Sequence, residues 1–170
     1  AGLSFPEFNR LDARLGWAPR PGLDGSYATE GLSEIAINAA GFRDDDHARN
    51  KPAGVLRLAV LGDSFAEGRE VALEKVFWKR LESDLAACLA RPVEVLGFAV
   101  NGYGTAQELL VLEHTALAYQ PDLVLLAFFS GNDVQNNERR LDGHPDRPYF
   151  VLQDGTLVLA QPRGGALEFD

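Results

Sequence analysis

The stretch "VLRLAVLGDSF", residues 55–65, determines the fold class of the chain, because an almost continuous apolar run ends in an abrupt polar turn. An apolar run of this kind is typical of a β-strand that is covered on both faces, as in a parallel sheet. Gly62, Asp63 and Ser64 follow the run directly. They form either an ordinary polar turn or the point at which the strand presents a serine at the edge of the sheet.

Two more apolar runs follow along the chain, at residues 93–100 and 122–130, and both are predicted strands. Residues 73–90 have the apolar spacing of an amphipathic helix, and residues 105–120 are predicted to form a second helix. Strand, helix, strand, helix and strand in this order imply parallel strands joined by right-handed crossovers. The core, residues 54–136, is therefore predicted to be an open α/β sheet.

Local signals describe the two helices further. The first helix is expected to bury one face, which carries Phe77, Leu81, Leu85 and Cys88. Cys88, the single cysteine, is therefore expected to be a small buried hydrophobe. Thr105 and Glu108 have the spacing of a capping box at the start of the second helix, and Pro121 ends that helix.

The segments on either side of the core have a different character. Residues 1–53 are rich in Pro and Gly and are expected to form an irregular arm, in which residues 33–38 are a candidate short strand. Residues 137–170 are expected to form a loop and a β-hairpin. This hairpin is predicted to turn at Asp154 and Gly155, a pair that favours a type I′ turn.

Composition and charge exclude several classes of function. A chain of 170 residues with 46% hydrophobic content suits one domain with a real core. The net charge of −9 predicts no binding to nucleic acid or to an anionic membrane surface, since both need local positive charge. No apolar run approaches the roughly 18 residues of a membrane span, and no signal peptide is recognised. Because the chain starts at Ala1 and contains no Met, we expect a processed or trimmed product.

The carboxyl ends of the three predicted strands carry the strongest functional signal. Ser64 follows the first strand, residues 101–104 follow the second and residues 131–133 follow the third. Ligands bind beyond the carboxyl ends of the strands in open parallel sheets. Acyl transfer by a serine needs donors aimed at the developing oxyanion, which a glycine amide approaches closely and an asparagine side chain can also reach. Gly102 and Asn132 are therefore candidate donors beside Ser64.

These three turns resemble blocks I, II and III of the SGNH (GDSL-type) hydrolases in both order and spacing. The matching segments are "GDSF" at 62–65, "NGYG" at 101–104 and "GND" at 131–133. The resemblance covers roughly residues 55–135, and "NAAGFRD" at 38–44 is similar to a segment of bacterial members. It implies a flavodoxin-like three-layer α/β/α sandwich with a parallel sheet. It also implies an extracytoplasmic protein that is periplasmic, secreted or membrane-anchored.

The resemblance also implies a role for each site residue. Ser64 would be the nucleophile and a donor through its own amide, Gly102 would give a second amide, and the Asn132 side chain would be the third donor. The offset after the strand favours Gly102 over Gly104. Asp63 is expected to be structural, because adjacent residues on a turn point in different directions.

The histidine base of this family has no clear counterpart in the chain. In the family, a D-x-x-H motif lies well downstream of block III, and nothing after Asn132 fits that spacing. The histidines present are His47, in Asp44-x-x-His47 ahead of the serine, His114, within the second helix, and His144, in Asp142-x-His144 shortly after block III. We expect none of the three to be the base. The chain is therefore expected to be the N-terminal part of a longer protein, and the fold to be incomplete at its C-terminus.

Together these features predict a serine esterase or acyl hydrolase that acts on small-molecule or carbohydrate esters and requires no cofactor or metal. A carbohydrate O-acyltransferase would use the same site with a sugar in place of water. A non-catalytic binding module on the same fold would keep the oxyanion pocket as a ligand site. The presence or absence of D-x-x-H in the natural chain beyond Asp170 would separate these alternatives.

Overall fold

The computed structural model describes residues 8–160, which form one parallel sheet and three antiparallel strand pairs. The strands are β1 (Asn9–Asp12), β2 (Gly16–Pro19), β3 (Asp24–Tyr27), β4 (Ser33–Ala36), β5 (Leu56–Gly62), β6 (Val93–Ala99), β7 (Leu123–Ala127), β8 (Tyr149–Gln153) and β9 (Thr156–Ala160). The helices are α1 (Ser64–Glu67), α2 (Phe77–Leu89), α3 (Thr105–His114), α4 (Asp133–Asn136) and α5 (Arg139–Asp142). Short 3₁₀ helices, Leu73–Lys75 and Ala116–Tyr119, precede α2 and follow α3.

The parallel sheet has the strand order β6-β5-β7, and β5 is its central strand. Val60 in the middle of β5 lies opposite Gly97 on β6 and Leu125 on β7, so the carboxyl ends of all three strands lie at one edge. The predicted α/β fold with a parallel sheet is confirmed. The third strand is shorter than predicted and ends at Ala127.

Helices cover both faces of β5 and β6. On one face, Trp78 of α2 packs with Val60 and Val95, and its ring lies so close to Gly97 that a Cβ atom there would overlap with it. On the other face, α3 and the N-terminal arm pack against the sheet, and the buried side chains include Trp17, Phe42, Ala59, Leu61, Leu96, Phe98, Val111 and Tyr119. Burial on both faces explains why β5 is an almost continuous apolar run, in which Arg57 is the one charged residue.

β7 is much less covered than β5. The exposed fractions of Leu123, Val124, Leu125 and Leu126 lie between 38% and 57%. Because successive side chains of a strand point to opposite faces, both faces of β7 are open to solvent. Within residues 8–160, β5 is the only strand that pairs with β7.

The buried face of α2 differs from the prediction. Trp78 is fully buried and Leu81 and Leu85 are partly buried, whereas Phe77 is 45% exposed and Cys88 is exposed. The predicted burial of Cys88 is therefore wrong. The large Trp78 ring occupies the position that faces the sheet, which turns Phe77 and Cys88 towards solvent.

The start of α3 also differs from the prediction. Gly104 is the residue before the helix, and its backbone N–H donates to Oε1 of Gln107 at 3.2 Å. Glu108 is buried, and neither of its carboxylate oxygens has a hydrogen-bond partner. The predicted capping box of Thr105 and Glu108 is wrong, because Gln107 and not Glu108 accepts the backbone hydrogen bond at the start of the helix.

The two flanking segments contain antiparallel hairpins. The arm is more regular than its Pro and Gly content indicates, since β1 pairs with β2 and β3 with β4. The predicted strand at 33–38 is confirmed as β4, which ends at Ala36. β8 and β9 form the predicted hairpin, and the positive φ angles of Asp154 (51°) and Gly155 (78°) suit the type I′ turn. Residues 1–7 and 161–170, which complete the predicted arm and C-terminal segment, lie outside the described residues.

Candidate active site

The turns after the three parallel strands are joined by hydrogen bonds at one edge of the sheet. The Val100 N–H donates to the carbonyl oxygen of Gly62 at 3.1 Å, which connects the ends of β6 and β5. The Asn132 Nδ2 group donates to Oδ2 of Asp63 at 2.9 Å, which connects the turn after β7 to the turn after β5. The structure therefore brings the segments that carry Ser64, Gly102 and Asn132 to a common edge.

Ser64 is the first residue of α1 and is half-buried. Asp63 precedes the helix, and its Oδ1 accepts a hydrogen bond from the Phe65 N–H at 2.9 Å, which caps the helix start. Gly62 permits the tight strand-to-helix turn, since a Cβ atom there would lie 2.6 Å from Cβ of Ala66. Ser64 thus lies on a short, capped helix directly after the central strand of the parallel sheet.

Asp63 connects two parts of the site. Its Oδ1 caps α1, while its Oδ2 accepts from the Asn132 side chain. Asp63 is fully buried, and the Oδ1 atom of Asn132 has no hydrogen-bond partner. One of the two N–H bonds of the Asn132 amide is therefore used to hold the side chain, and the second is available as a donor. Sequence reasoning gave Asp63 a structural role but missed its contact with Asn132.

Gly102 lies in the turn after β6, and its φ of +78° is a left-handed conformation that favours glycine. A Cβ atom at this position would lie 3.3 Å from Cζ2 of Trp17. Gly104 has a packing reason of its own, since a Cβ atom there would lie 2.6 Å from Cβ of Asn136. Gly102 is therefore favoured by its backbone conformation, and Gly104 by its close packing against Asn136.

Glu67, at the end of α1, connects this helix to the turn after β6. Its Oε2 accepts from the Asn101 N–H at 2.6 Å, and its Oε1 forms an ion pair with Arg69 at 2.8 Å. Burial raises the pKa of Glu67, while Arg69 and the Asn101 N–H act against that rise. No sequence signal singled out this residue.

Arg43, from the segment "NAAGFRD", holds the far end of α1. Its Nη1 donates to the carbonyl oxygens of Glu67 at 2.9 Å and Gly68 at 2.6 Å, and its Nη2 donates to that of Val71 at 2.6 Å. Helix C-termini leave such carbonyl groups without partners, so a buried arginine stabilises the helix that carries Ser64. The motif could have drawn attention to Arg43, but its partners lie 24 to 28 residues away in the sequence.

Three buried carboxyl groups, those of Asp63, Glu108 and Asp133, lie near one another. Burial, together with the smaller effects of the neighbouring Asp133 and Asp63, raises the pKa of Glu108 to about 8. Burial also raises the pKa of Asp133, although its Oδ2 accepts from the Phe129 N–H at 2.6 Å. A raised pKa favours the protonated form of Glu108 near neutral pH, which limits the negative charge beside Asp63 and Asp133.

The three histidines have other surroundings. His47 Nε2 lies 3.2 Å from Asp44 Oδ2, but that carboxylate also accepts from Gly97 in the middle of β6 and not at the strand end. His114 is exposed at the end of α3, and His144 packs its ring against Trp17. Within residues 8–160, none of them forms a hydrogen bond with the Ser64 hydroxyl.

The Asp142-x-His144 pair is not arranged as a catalytic dyad. Oδ2 of Asp142 accepts from the side chains of Arg147 and Tyr149 and from the backbone N–H of His144. The buried Nδ1 of His144 has no hydrogen-bond partner. Asp142 therefore anchors the loop and does not orient the imidazole.

Comparisons with known proteins add no identification: no protein-family model, curated protein or solved structure matches the chain. In the part of the chain that the structure describes, no helix combines the length and apolar character needed to cross a membrane. The same residues contain no cluster of three or more His, Cys, Asp or Glu side chains that would hold a metal ion.

Proposed function

We propose that this chain carries the nucleophile and the oxyanion-hole segments of an ester-cleaving serine enzyme of the SGNH type. The hydrogen bond between Asn132 and Asp63 is the observation that carries the proposal, because it holds a side-chain donor next to the residue that precedes Ser64. Ser64 is the nucleophile and donates through its own amide. The Gly102 amide and the remaining N–H of Asn132 are the other two donors.

The reaction follows from these roles. The Ser64 Oγ attacks the ester carbonyl carbon while a histidine takes its proton, and the carbonyl oxygen becomes an oxyanion that the three donors bind. The C–O bond to the alcohol then breaks, and the alcohol leaves with the proton from the histidine. Water hydrolyses the resulting acyl-serine and releases the acid. Preorganised donors act where the charge develops, and one of them typically contributes about 2.7–4 kcal/mol to the barrier.

The strand order β6-β5-β7 supports a flavodoxin-like fold for the whole domain. Numbered along the parallel sheet alone, it reads 2-1-3, which is how the flavodoxin-like order 2-1-3-4-5 begins. A fourth strand would pair with β7, and the apolar side chains that β7 exposes on both faces are suited to contact with further helices. We propose that the segment covering β7 also supplies the histidine and aspartate that Ser64 requires.

Hydrolysis of p-nitrophenyl acetate by the natural full-length protein tests the proposal. Ser64→Ala should reduce turnover to background, and Asn132→Ala should lower kcat by roughly 100- to 1,000-fold through the loss of one donor. Ser83→Ala, at an exposed serine of α2, is the matched control and should leave turnover unchanged. Undiminished hydrolysis by the Ser64→Ala protein would place the reaction at another site.

A further inference from the structure

The start of α3 packs against α4, the short helix that follows the turn after β7. A Cβ atom at Gly104 would lie 2.6 Å from Cβ of Asn136, so the two backbones approach closely here. Glu108 lies one turn beyond Gly104, and its backbone N–H donates to the carbonyl oxygen of that glycine at 3.1 Å. Asp133, the first residue of α4, lies one turn before Asn136. Of the charged groups, Asp133 acts most strongly on Glu108.

These two carboxyl groups contain buried oxygen atoms without a hydrogen-bond partner. Neither Oε1 nor Oε2 of Glu108 has one, and Oδ1 of Asp133 has none either. The exposed fractions of the two residues are 1% and 0%. Two ionised carboxylates form no hydrogen bond with each other because both only accept, whereas a proton turns one of them into a donor. A single proton between Glu108 and Asp133 would therefore give an oxygen atom of each group a partner.

The hydrogen bonds in this cluster favour Glu108 as the group that carries the proton. Both carboxylate oxygens of Asp63 accept hydrogen bonds, one of them from the Asn132 side chain. Asp133 accepts one from the Phe129 N–H at 2.6 Å, and Glu108 accepts none. Hydrogen bonds to a carboxylate favour its ionised form, so the proton is held best by the group that lacks them. The raised pKa of Glu108, about 8, agrees with this order.

The neighbouring cation serves other partners. Arg147, from the loop before β8, acts on Asp133, and its side chain donates to Oδ2 of Asp142 at 2.8 Å and to Oε1 of Gln107. The charged groups of residues 8–160 that act on Glu108 are carboxylates alone. A buried acid in such surroundings is accommodated by binding a proton.

Asp133 and Asp63 both hold the turn that carries Asn132. Asp133 accepts from Phe129 at the start of this turn, and Asp63 accepts from the Asn132 amide. Ionisation of Glu108 would place a third negative charge beside these two carboxylates, and the repulsion would act on the groups that position the amide. We propose that Glu108, as a protonated acid, donates to Oδ1 of Asp133 and is a positioning residue for the Asn132 donor; the inference rests on the proposed function.

Two substitutions of Glu108 separate its donor from its charge, with p-nitrophenyl acetate as the substrate of the natural full-length protein. Glu108→Gln keeps an N–H donor that is uncharged at every pH, so it should retain most of kcat at pH 7. Glu108→Leu keeps a side chain of similar size but removes the donor, so kcat at pH 7 should fall about tenfold at nearly unchanged KM. Glu113→Gln, at an exposed position of the same helix, is the matched control and should leave kcat unchanged.

The pH profile of kcat is a readout that a merely structural role would not change. The donor is present while Glu108 is protonated and is lost as the pH rises through about 8. We expect kcat of the parent to fall about tenfold between pH 7 and pH 9.5, and kcat of the Glu108→Gln protein to stay level. Tryptophan fluorescence at each pH limits the comparison to conditions in which both proteins are folded. Equal profiles would overturn the inference, whether or not Glu108→Leu folds.

An NMR titration keeps this test independent of the reaction. In the Ser64→Ala protein, the Cγ signal of Asn132 and the backbone amide signal of Phe129 should shift with a midpoint near pH 8. This transition should be absent from the Ser64→Ala/Glu108→Gln protein. If ester hydrolysis depends on Ser64 but the transition is missing or persists with glutamine, the inference is wrong and the proposed function stands. If the transition depends on Glu108 but no ester is cleaved through Ser64, Glu108 controls this turn and the proposed function is wrong.

Discussion

Glu108 should make the stability of this domain fall as the pH rises, and Glu108→Gln should remove that fall. The carboxyl group is 1% exposed, has no hydrogen-bond partner and lies near Asp133 and Asp63. Its pKa is about 8 in the folded protein, against an ordinary value of 4.5. The folded state therefore binds the proton more tightly than the unfolded state does. The stability associated with the protonated carboxyl is fully present below pH 4.5 and is lost as the pH rises through about 8.

The size of the effect follows from the two pKa values. Each pH unit between them corresponds to about 1.4 kcal/mol, so the loss between pH 4.5 and pH 8 is on the order of 4–5 kcal/mol. A glutamine is neutral at every pH and has nearly the same shape. The Glu108→Gln protein should therefore match the parent near pH 4.5 and be more stable by most of this amount above pH 8.

Urea unfolding at pH values from 4.5 to 9 measures this difference, with the fluorescence of the buried residues Trp17 and Trp78 as the signal. Groups that titrate in both proteins cancel in the comparison. Glu113→Gln, at an exposed position of the same helix, is the matched control and should follow the parent at every pH. Parallel stability curves for the parent and the Glu108→Gln protein would show that Glu108 ionises normally, and would refute the buried carboxyl cluster.

Three further outcomes are expected. Asp63→Asn removes the carboxylate that holds the Asn132 amide. For p-nitrophenyl acetate, kcat of the full-length protein should therefore fall about tenfold or more, while KM stays nearly unchanged. A kcat equal to that of the parent would show that this contact does not orient the donor. Gly97→Ala places a methyl group against the Trp78 ring and should lower the free energy of unfolding in urea by about 1–3 kcal/mol, and an unchanged midpoint would contradict the described packing. Residues 1–170 alone should hydrolyse p-nitrophenyl acetate barely above background, because a serine without a base is a poor nucleophile. Under the proposed function, turnover should appear only when the segment proposed to cover β7 and supply the histidine is present. Robust hydrolysis by residues 1–170 that His144→Ala abolishes would instead identify His144 as the base.

The sequence predicted those parts of the fold that local patterns encode. The apolar run that became β5 and the turn that carries Ser64 could be recognised because burial on both faces leaves a continuous apolar signature. The hairpin turn at Asp154 and Gly155 was predictable because its two positive φ angles restrict the residues that can occupy it. Both signals depend only on neighbours along the chain.

Features that depend on distant contacts could not be predicted in this way. The amide of Asn132 is held by Asp63, which lies 69 residues away in the sequence, and this contact exists only after the strands have paired. Cys88 fits the apolar spacing of α2, but Trp78 determines which face of the helix meets the sheet. Glu108 has the spacing of a capping residue, and only the position of α3 against the sheet shows that it is buried.

Covalent labelling decides whether Ser64 is the nucleophile. The natural full-length protein should be treated with a fluorophosphonate, which forms a stable adduct with an activated serine, and the modified peptide should be located by mass spectrometry. We expect one adduct, on Ser64, which disappears in the Ser64→Ala protein and persists in the Ser83→Ala protein. An adduct on a different serine, or ester hydrolysis that continues without any adduct on Ser64, would contradict the proposed function.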